Sequence, residues 1–203
     1  MKKLILILCV SFFTLHLSAQ DFGVKGGLSF AYMGGENAES AYADFLNAEA
    51  NYFNPGFAVG GFAQFGKSNM RFTAEVLYLQ KGCDYSSSSF TSQSNTRRTL
   101  NYIQSNAMGS FYLTEKSSIN GGVYLGYLES ETYIFTIDGY STTSDVEFTD
   151  EKRRVDYGVN VGFTLYLTEA LQLDARYGHG LLGTIENYKV FNQTIQFTCG
   201  LKL

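Results

Sequence analysis

Residues 155–182 alternate between apolar and polar or small side chains over many more positions than a strand of ordinary length contains. In the first half, the odd positions from Val155 to Leu167 carry only valine, tyrosine, phenylalanine and leucine, whereas most even positions are small or polar. The alternation resumes at Leu171 after a turn centred on Glu169, which pairs odd positions with odd positions and so joins the two apolar faces. The pattern predicts a long β-hairpin with one broad apolar face.

The chemistry of the two faces of this hairpin indicates which one meets lipid. The polar face contains glycines together with the opposed charges Asp174 and Arg176, and the other face is bulky and aromatic. A soluble barrel directs its bulky apolar residues inward, whereas a membrane barrel directs them toward acyl chains and keeps polar groups in the lumen. Strand length and the glycines of the polar face favour the membrane arrangement, with Val161, Phe163 and Leu173 outward.

The same period of two recurs along the rest of the chain and predicts eight strands in all. They are residues 22–32, 57–65, 70–85, 99–113, 119–135, the two hairpin strands at 155–167 and 171–182, and residues 191–203. Each reaches or approaches the roughly 9–11 residues that a tilted transmembrane strand needs. Because an open sheet would leave unpaired backbone groups in hydrocarbon, the sheet must close. The predicted fold is all-β: an eight-stranded antiparallel up-and-down transmembrane β-barrel.

The long connections between the predicted strands differ in composition. Residues 33–54 are acidic, and Tyr42, Phe45 and Leu46 lie at helical spacing within them, which predicts a short helix. Residues 86–96 are serine-rich and predict a flexible loop. Residues 137–151 form a second acidic loop. Two interpretations of the acidic loops stay open: solvated surface without a ligand, or a surface in which those three apolar residues anchor a partner at the barrel mouth.

The first 19 residues have the features of a secretory signal peptide. Lys2 and Lys3 supply a positive start, an apolar segment follows, and Ser18 and Ala19 form a small-residue exit. We therefore expect a signal peptide at residues 1–19 and an outer-membrane barrel domain at residues 20–203. No later segment is apolar over the roughly 18 residues that a transmembrane helix requires.

Composition and charge agree with a strand-rich membrane protein. Glycine (21), tyrosine (15) and phenylalanine (17) are abundant, whereas the chain has one proline and no tryptophan. The net charge of −4 becomes about −6 without Lys2 and Lys3, which argues against nucleic acid as a partner. Cys83 and Cys199 fall on strands that are not neighbours in the predicted order, so no disulfide is predicted.

Seven charged residues fall on inward positions by the same alternation. They are Arg71, Glu75, Lys81, Arg154, Asp156, Asp174 and Arg176. An eight-stranded barrel is only wide enough for side chains to fill its interior. These charges must therefore compensate one another, and we predict a structural ion-pair network that fills the lumen. The alternative is a carboxylate active site or a proton path, for which neither Glu75 nor Asp174 has a partner visible in the sequence.

The sequence offers little catalytic chemistry. His179 is the one histidine outside the signal peptide, and it falls on the lipid face near the loop end of its strand. Deacylation of a lipid by a Ser–His pair would need a serine beside it, so we interpret it as an interfacial histidine. Two cysteines and one histidine dispersed along the chain give no metal-ligand spacing. We expect no catalytic residue, no cofactor and no metal.

Three segments of the predicted strands carry a family resemblance. They are residues 23–28 (GVKGGL), residues 74–82 (AEVLYLQKG) and residues 174–181 (DARYGHGL). In these segments, and over nearly the whole region after residue 19, the chain resembles the PorT-like outer-membrane β-barrel family common in Bacteroidetes. The resemblance implies an outer-membrane location. PorT itself is associated with type IX secretion, whereas most of its relatives have no assigned role.

These observations lead us to expect a small integral outer-membrane barrel without an open pore or enzymatic activity. Its expected role is structural, or surface interaction through long extracellular loops. The expected partners are outer-membrane lipid, the barrel-insertion machinery during biogenesis, and a surface or secretion partner that the sequence does not identify. Three other hypotheses stay open: an accessory component of a type IX-like secretion system, an enzyme that modifies an outer-membrane lipid, and a secreted soluble lipid carrier, which would need its bulky face inward.

Overall fold

The computed structural model describes residues 21–36, 50–66, 69–89, 92–137, 140–145, 154–185 and 188–203, and these ranges are built almost entirely from β-strands. The strands are β1 (Asp21–Gly34), β2 (Ala50–Phe65), β3 (Met70–Ser89), β4 (Ser92–Thr114), β5 (Ser117–Ile137), β6 (Tyr140–Asp145), β7 (Val155–Tyr166), β8 (Leu171–Ile185) and β9 (Tyr188–Lys202). Within the described ranges, no helix is long and apolar enough to cross a membrane.

Eight of these strands form a closed antiparallel ring. Its order is β1, β2, β3, β4, β5, β7, β8 and β9, and the ladder between β1 and β9 closes it. The short strand β6 lies outside the ring and pairs with the distal end of β5. The predicted eight-stranded up-and-down barrel is confirmed, and β6 is an addition to it.

The bulky face of the strands is on the outside of the ring. Val161, Phe163 and Leu173 are 56%, 43% and 42% exposed, whereas Asp174 and Arg176 are each only 6% exposed. The predicted orientation is therefore confirmed at the hairpin from which it was inferred. This arrangement is the opposite of the one that a soluble lipid carrier requires.

The apolar outer belt ends part-way along the longest strands. Outward positions become polar at Gln80 on β3, Asn101 on β4 and Glu129 on β5. At the same level, the interior of the barrel changes from polar to apolar. Seven buried residues form an apolar cluster there, the lumen cap: Met33, Cys83, Tyr85, Leu100, Tyr102, Leu128 and Val190. Beyond this boundary the sheet has the polarity of a soluble protein, so the strands there project out of the membrane.

Backbone irregularities mark this boundary. Gly82 adopts a φ of +133°, and a Cβ at this position would come within 1.9 Å of the carbonyl oxygen of Arg98. The β2–β3 pairing shifts between Phe53 and Ala58, and the β4–β5 pairing shifts between Asn101 and Tyr102. Such bulges change which face a side chain occupies, and they allow an apolar interior above a polar one.

The connections differ from the predictions in two places. The serine-rich segment was predicted to be a loop, but β3 and β4 continue through it to a final pair between Ser89 and Ser92. The ladder continues because β4 is also paired with β5 over much of this length, from Ser94 onward. The second acidic segment likewise contains β6, held by hydrogen bonds such as Thr132 Oγ1 to Asp145 Oδ1 (3.0 Å). Residues 42–49, with the predicted short helix, lie outside the described residues.

Both cysteines of the described chain are free, in agreement with the absence of a predicted disulfide. Cys83 is fully buried in the lumen cap, and its Sγ donates to the hydroxyl of Tyr85 (2.6 Å). Burial raises the pKa of the Cys83 thiol to about 12. Cys199 lies on the outward face of β9 between Phe197 and Leu201 and is exposed.

This contrast predicts that a thiol reagent modifies one cysteine of the folded barrel. In detergent, a chain without residues 1–19 should incorporate one maleimide, on Cys199, because Cys83 is buried and holds its proton. The variant Cys199→Ser should stay unlabelled until the protein is unfolded, and Cys83→Ser should label like the parent. A fluorophore on Cys199 should be quenched by brominated acyl chains after reconstitution. Rapid labelling of folded Cys199→Ser would contradict the interior position of Cys83.

Candidate functional site

The middle of the lumen contains four buried charges that alternate in sign. The ammonium of Lys25 lies 2.6 Å from Glu75 Oε1 and 2.7 Å from Asp174 Oδ2. Arg176 makes a two-point contact with Glu75, with Nη1 donating to Oε2 (2.6 Å) and Nη2 donating to Oε1 (3.0 Å). This group, the central ion cluster, has two positive and two negative side chains, so its net charge is zero.

Buried amides hold the central ion cluster in place. Asn106 Nδ2 donates to Glu75 Oε2 (3.2 Å), while Asn106 Oδ1 accepts from Gln104 Nε2 (2.8 Å) and from Asn160 Nδ2 (2.9 Å). Buried charges are costly unless both ionic and hydrogen-bonding partners are present. The amides supply the second kind of partner, so the cluster acts as a filled core rather than an empty channel.

A second ion pair lies in the lumen just below the cap. Lys81 Nζ lies 2.8 Å from Asp156 Oδ2, which also accepts from the hydroxyl of Tyr124 and from Asn192 Nδ2, both at 3.3 Å. The ammonium lies over two aromatic rings, 4.8 Å from the centre of Tyr102 and 4.3 Å from that of Tyr124. Cation–π contacts of this kind stabilise a desolvated ammonium, so this level of the lumen is also filled and neutral.

Two arginine–carboxylate pairs lie on the side of the lumen cap that faces the long connections, which is the extracellular side in outer-membrane barrels, where the short turns are periplasmic. Arg98 Nε donates to Glu131 Oε1 (2.5 Å), and its guanidinium lies 5.7 Å from the ring centre of Tyr133. Burial opposes the charge of Arg98, yet Tyr133 and Glu131 together raise its pKa above the ordinary value. Arg97 makes a two-point contact with Asp84, with Nε donating to Oδ1 (3.0 Å) and Nη2 donating to Oδ2 (2.8 Å), and the hydrogen bonding to Asp84 raises the pKa of Arg97.

The periplasmic end of the lumen has a half-exposed rim. Asp21 Oδ2 lies 3.0 Å from Lys202 Nζ and 3.4 Å from Arg71 Nη1. The rings of Tyr112 and Tyr166 stack, and their hydroxyls are 2.8 Å apart. The guanidinium of Arg71 lies 4.8 Å from the ring centre of Tyr112. Charges here are exposed enough for solvent to screen them, unlike those of the central ion cluster.

A small polar cavity of about 10 Å³ lies between the rim and the central ion cluster. Its lining includes Gln64, Thr164 and Gln172. The side-chain oxygens of Gln64 and Gln172 are buried, and neither has a hydrogen-bond partner among the described residues. A space of this size between polar atoms suits a water molecule rather than an organic substrate.

A family model of the outer membrane protein beta-barrel domain matches residues 18–186. The chain belongs to that family. This membership implies that the barrel resides in an outer membrane, and it agrees with the outward apolar belt. The family is broader than the PorT-like group, so the match supports the barrel and its location without selecting that group. No curated protein sequence matches the chain significantly.

The chain is similar to several solved outer-membrane barrels at low sequence identity. Ail, the attachment invasion locus protein of Yersinia pestis, solved with the heparin analogue sucrose octasulfate, is 12% identical with a TM-score of 0.50, over 90% of this chain and 98% of that one. Neisserial surface protein A is 14% identical with a TM-score of 0.46, over 90% and 97% of the two chains. OprG from Pseudomonas aeruginosa is 10% identical with a TM-score of 0.38, over 92% and 97%.

The barrel brings together most of the charges assigned to its interior from the sequence. Glu75, Asp174 and Arg176 meet in the central ion cluster, Lys81 and Asp156 pair below the cap, and Arg71 lies at the rim. Arg154 differs from its predicted inward placement. It precedes β7, where strand parity does not apply, and donates to the hydroxyl of Tyr127 (3.2 Å). Tyr127 shares the outward face with Val123 and Leu125.

Several interior charges were missed from the sequence. Lys25 could have been found, because it occupies an inward position of the first strand. Arg98 lay just outside the fourth predicted strand, which began at residue 99, and it pairs with Glu131 of β5. Glu131 is inward only because the β4–β5 register shifts nearby. Counting alternate positions from Val123 would place Glu131 on the outward face. No feature of the sequence indicates the bulge that reverses this placement.

His179 lies on the outward face, and its Nδ1 lies 3.2 Å from the hydroxyl of Tyr177. No serine contacts its ring among the described residues, so the Ser–His arrangement that lipid deacylation would need is not found there. No cluster of three or more His, Cys, Asp or Glu side chains in the described ranges could hold a metal ion. The residues Tyr42, Phe45 and Leu46, for which partner contact and solvated surface were the two open interpretations, lie outside the described ranges.

Proposed function

We propose that this outer-membrane barrel is a non-conducting platform that presents a β-sheet at the cell surface for contact with a partner. The observation that carries the proposal is the sheet formed by the distal parts of β3, β4 and β5 together with β6. It extends beyond the apolar belt, and every residue of β6 is exposed. Long strands projecting from a membrane barrel place side chains where another molecule can reach them.

The filled lumen supports the non-conducting part of the proposal. The central ion cluster and the Lys81–Asp156 pair each sum to zero charge, and the lumen cap blocks the extracellular end with apolar side chains. A hydrated ion entering this path would have to displace buried, mutually bonded groups. The function is therefore assigned to the surface of the barrel and not to transport through it.

One face of the projecting sheet carries exposed aromatic and aliphatic side chains. The rings of Tyr133 and Phe135 stack with their centres 5.8 Å apart. Phe135 and Ile137 are 41% and 52% exposed, and Tyr140, which pairs with Ile137 across the β5–β6 ladder, is 85% exposed. Aromatic residues dominate the binding energy of many protein interfaces, so this surface, the aromatic stripe, is the proposed contact.

The aromatic stripe can be tested by cell attachment. We expect the triple variant Phe135→Ser, Ile137→Ser and Tyr140→Ser to reduce attachment of barrel-expressing cells to other cells or to coated surfaces by about tenfold, because it removes the apolar anchors. A matched control, Thr136→Ser, changes the opposite face of the same strand. Heat-modifiable gel mobility should show that both variants are folded.

Equal attachment by the triple variant, the parent and a deletion strain would contradict the surface role. Planar bilayer recordings address the other half of the proposal. The parent barrel should give no sustained current, and a stable open conductance would contradict the filled lumen. The two measurements test the two halves of the proposal independently, because attachment depends on the projecting sheet and conductance depends on the lumen.

The finer hypotheses from the sequence stay predictions. They are membership of the PorT-like group, an accessory role in type IX-like secretion, modification of an outer-membrane lipid, and export by a signal peptide at residues 1–19. In the proposed role, the partners of the barrel are outer-membrane lipid, the barrel-insertion machinery during assembly, and a surface partner. Co-purification with a translocon, or a changed lipid mass profile in a deletion strain, would favour the secretion or the lipid hypothesis instead.

A further inference from the structure

A polar cluster interrupts the apolar outer face of β1, β8 and β9. Its centre is Gln193, whose Oε1 accepts hydrogen bonds from the hydroxyls of Tyr32 and Tyr177, the latter at 2.7 Å. The Tyr177 hydroxyl also lies 3.2 Å from His179 Nδ1. These four residues, the outer polar cluster, come from three adjacent strands, so the closed sheet fixes their spacing.

The outer polar cluster lies near the extracellular end of the belt, where Leu181 and Phe191 are the next outward residues beyond it on β8 and β9. On β1, the next outward residue toward the periplasm is Phe30, and on β9 it is Ile195, both apolar. The inward neighbour of Tyr32 is Met33, which belongs to the lumen cap and so marks the level at which the barrel leaves hydrocarbon. Phe53 packs edge-on against the Tyr32 ring, with the ring centres 4.8 Å apart. The cluster therefore lies close to the boundary between acyl chains and headgroups.

The positions of the protons in the outer polar cluster determine which hydrogen-bond donors it offers at this boundary. A tyrosine hydroxyl has one proton, and that of Tyr177 is donated to Gln193 Oε1. The contact with His179 therefore requires Nδ1–H of the imidazole as the donor, which fixes the ring orientation. Within the described part of the chain, neither His179 Nε2 nor Gln193 Nε2 has a hydrogen-bond partner. Both atoms belong to side chains that the tyrosines hold in place.

We propose that Gln193 and His179, positioned by Tyr177 and Tyr32, bind the phosphate of a membrane lipid in the extracellular leaflet. The amide N–H of Gln193 can donate to an anionic oxygen, and a bound anion favours the imidazolium form of His179, in which Nε2–H donates as well. Hydrogen bonds to a charged acceptor are stronger than neutral ones. Among the described residues, no carboxylate contacts the cluster, so an anion meets no direct repulsion there. The apolar side chains directly below would lie along the acyl chains of the same lipid. This site is independent of the aromatic stripe.

The single histidine of the barrel domain makes the site observable. A chain without residues 1–19 contains only His179, so ¹⁵N-histidine labelling reports this ring alone. The protein is placed in phosphatidylcholine nanodiscs with increasing fractions of phosphatidic acid. The His179 Nε2 resonance should shift and saturate as phosphatidic acid increases. Inorganic phosphate added to phosphatidylcholine nanodiscs should not reproduce the shift, because the site opens toward lipid.

Three variants distinguish binding at the outer polar cluster from a non-specific effect of the negative charge of the membrane. Gln193→Leu should raise the half-saturating fraction of phosphatidic acid about tenfold, since it removes one charge-assisted hydrogen bond. Tyr177→Phe should abolish the saturable shift, because it releases both His179 and Gln193. The matched control Tyr78→Phe removes a hydroxyl from the outward face on the other side of the barrel and should behave like the parent. Heat-modifiable mobility confirms that each variant is folded.

The proposal is overturned by an Nε2 resonance that is insensitive to phosphatidic acid. It is also overturned by equal shifts in the parent and in Gln193→Leu, which would reflect membrane charge alone. A shift produced by inorganic phosphate would assign the site to a free anion. A shift that follows protein concentration without phosphatidic acid would assign the surface to contact between two copies of the chain.

Discussion

The variant Glu75→Gln is expected to lower the free energy of unfolding of the barrel by about 3–5 kcal/mol, the effect of removing one partner from a buried ion pair. Glu75 is 2% exposed and contacts both Lys25 and Arg176. Without its charge, these two cations share Asp174 as their nearest anion, and one positive charge stays uncompensated. Urea unfolding in detergent, followed by heat-modifiable mobility, measures the loss.

A double variant distinguishes charge imbalance from general disruption. Lys25→Met combined with Glu75→Gln leaves Arg176 with Asp174 and restores neutrality, so most of the lost stability should return. Asp21→Asn serves as the control at the half-exposed rim, where solvent screening limits the loss to about 0–1 kcal/mol. Equal losses in the single and the double variant would show that packing, and not charge compensation, holds this part of the lumen together.

The variant Gly122→Ala should destabilise the barrel by about 1–3 kcal/mol or prevent closure between β4 and β5. A Cβ on this inward residue would come within 2.1 Å of the carbonyl oxygen of Ala107 and 2.7 Å of the Cα of Met108. Both contacts are with backbone, so no side-chain rotation relieves them. The readouts are the yield of the fast-migrating folded form and its urea midpoint.

The adjacent residue provides a matched control for this substitution. Gly121 points outward, and the nearest atom to a Cβ built there is the carbonyl oxygen of Asn160 at 4.0 Å. Gly121→Ala should therefore change the unfolding free energy by no more than about 0.5 kcal/mol, as surface substitutions usually do. Equal stability of the two alanine variants would contradict the close contact between β4 and β5 at Gly122.

Alternation along the strands was sufficient to predict the barrel and its orientation. Val161 and Asp174 were assigned to the correct faces because a strand with a period of two can turn its apolar face only outward or inward. The glycine-rich polar face excluded the inward arrangement. The central ion cluster was partly predictable for the same reason. Parity assigned Glu75, Asp174 and Arg176 to the lumen, but it could not say which of them meet, since partners on distant strands depend on the register around the ring.

The upper part of the barrel could not be predicted in this way. A bulge inverts parity without a sequence signal, and Glu131 lies beyond such a shift in β5. The serines near Ser89 suggest flexibility by composition, although pairing between long neighbouring strands decides their conformation. The lumen cap was missed for a related reason. Leu100 and Leu128 are inward apolar residues, and the rule for membrane barrels expects the interior to be polar.

The partners in the central ion cluster are far apart along the chain, and this has a consequence for biogenesis. Lys25 and Glu75 are 50 residues apart, and Glu75 and Arg176 are 101 apart. An assembly intermediate that has inserted only its N-terminal strands would contain the Lys25–Glu75 pair, which is neutral but lacks the contacts with Arg176 and Asp174 that complete its hydrogen bonding. The last hairpin supplies these contacts, which favours concerted insertion over a stable half-formed sheet.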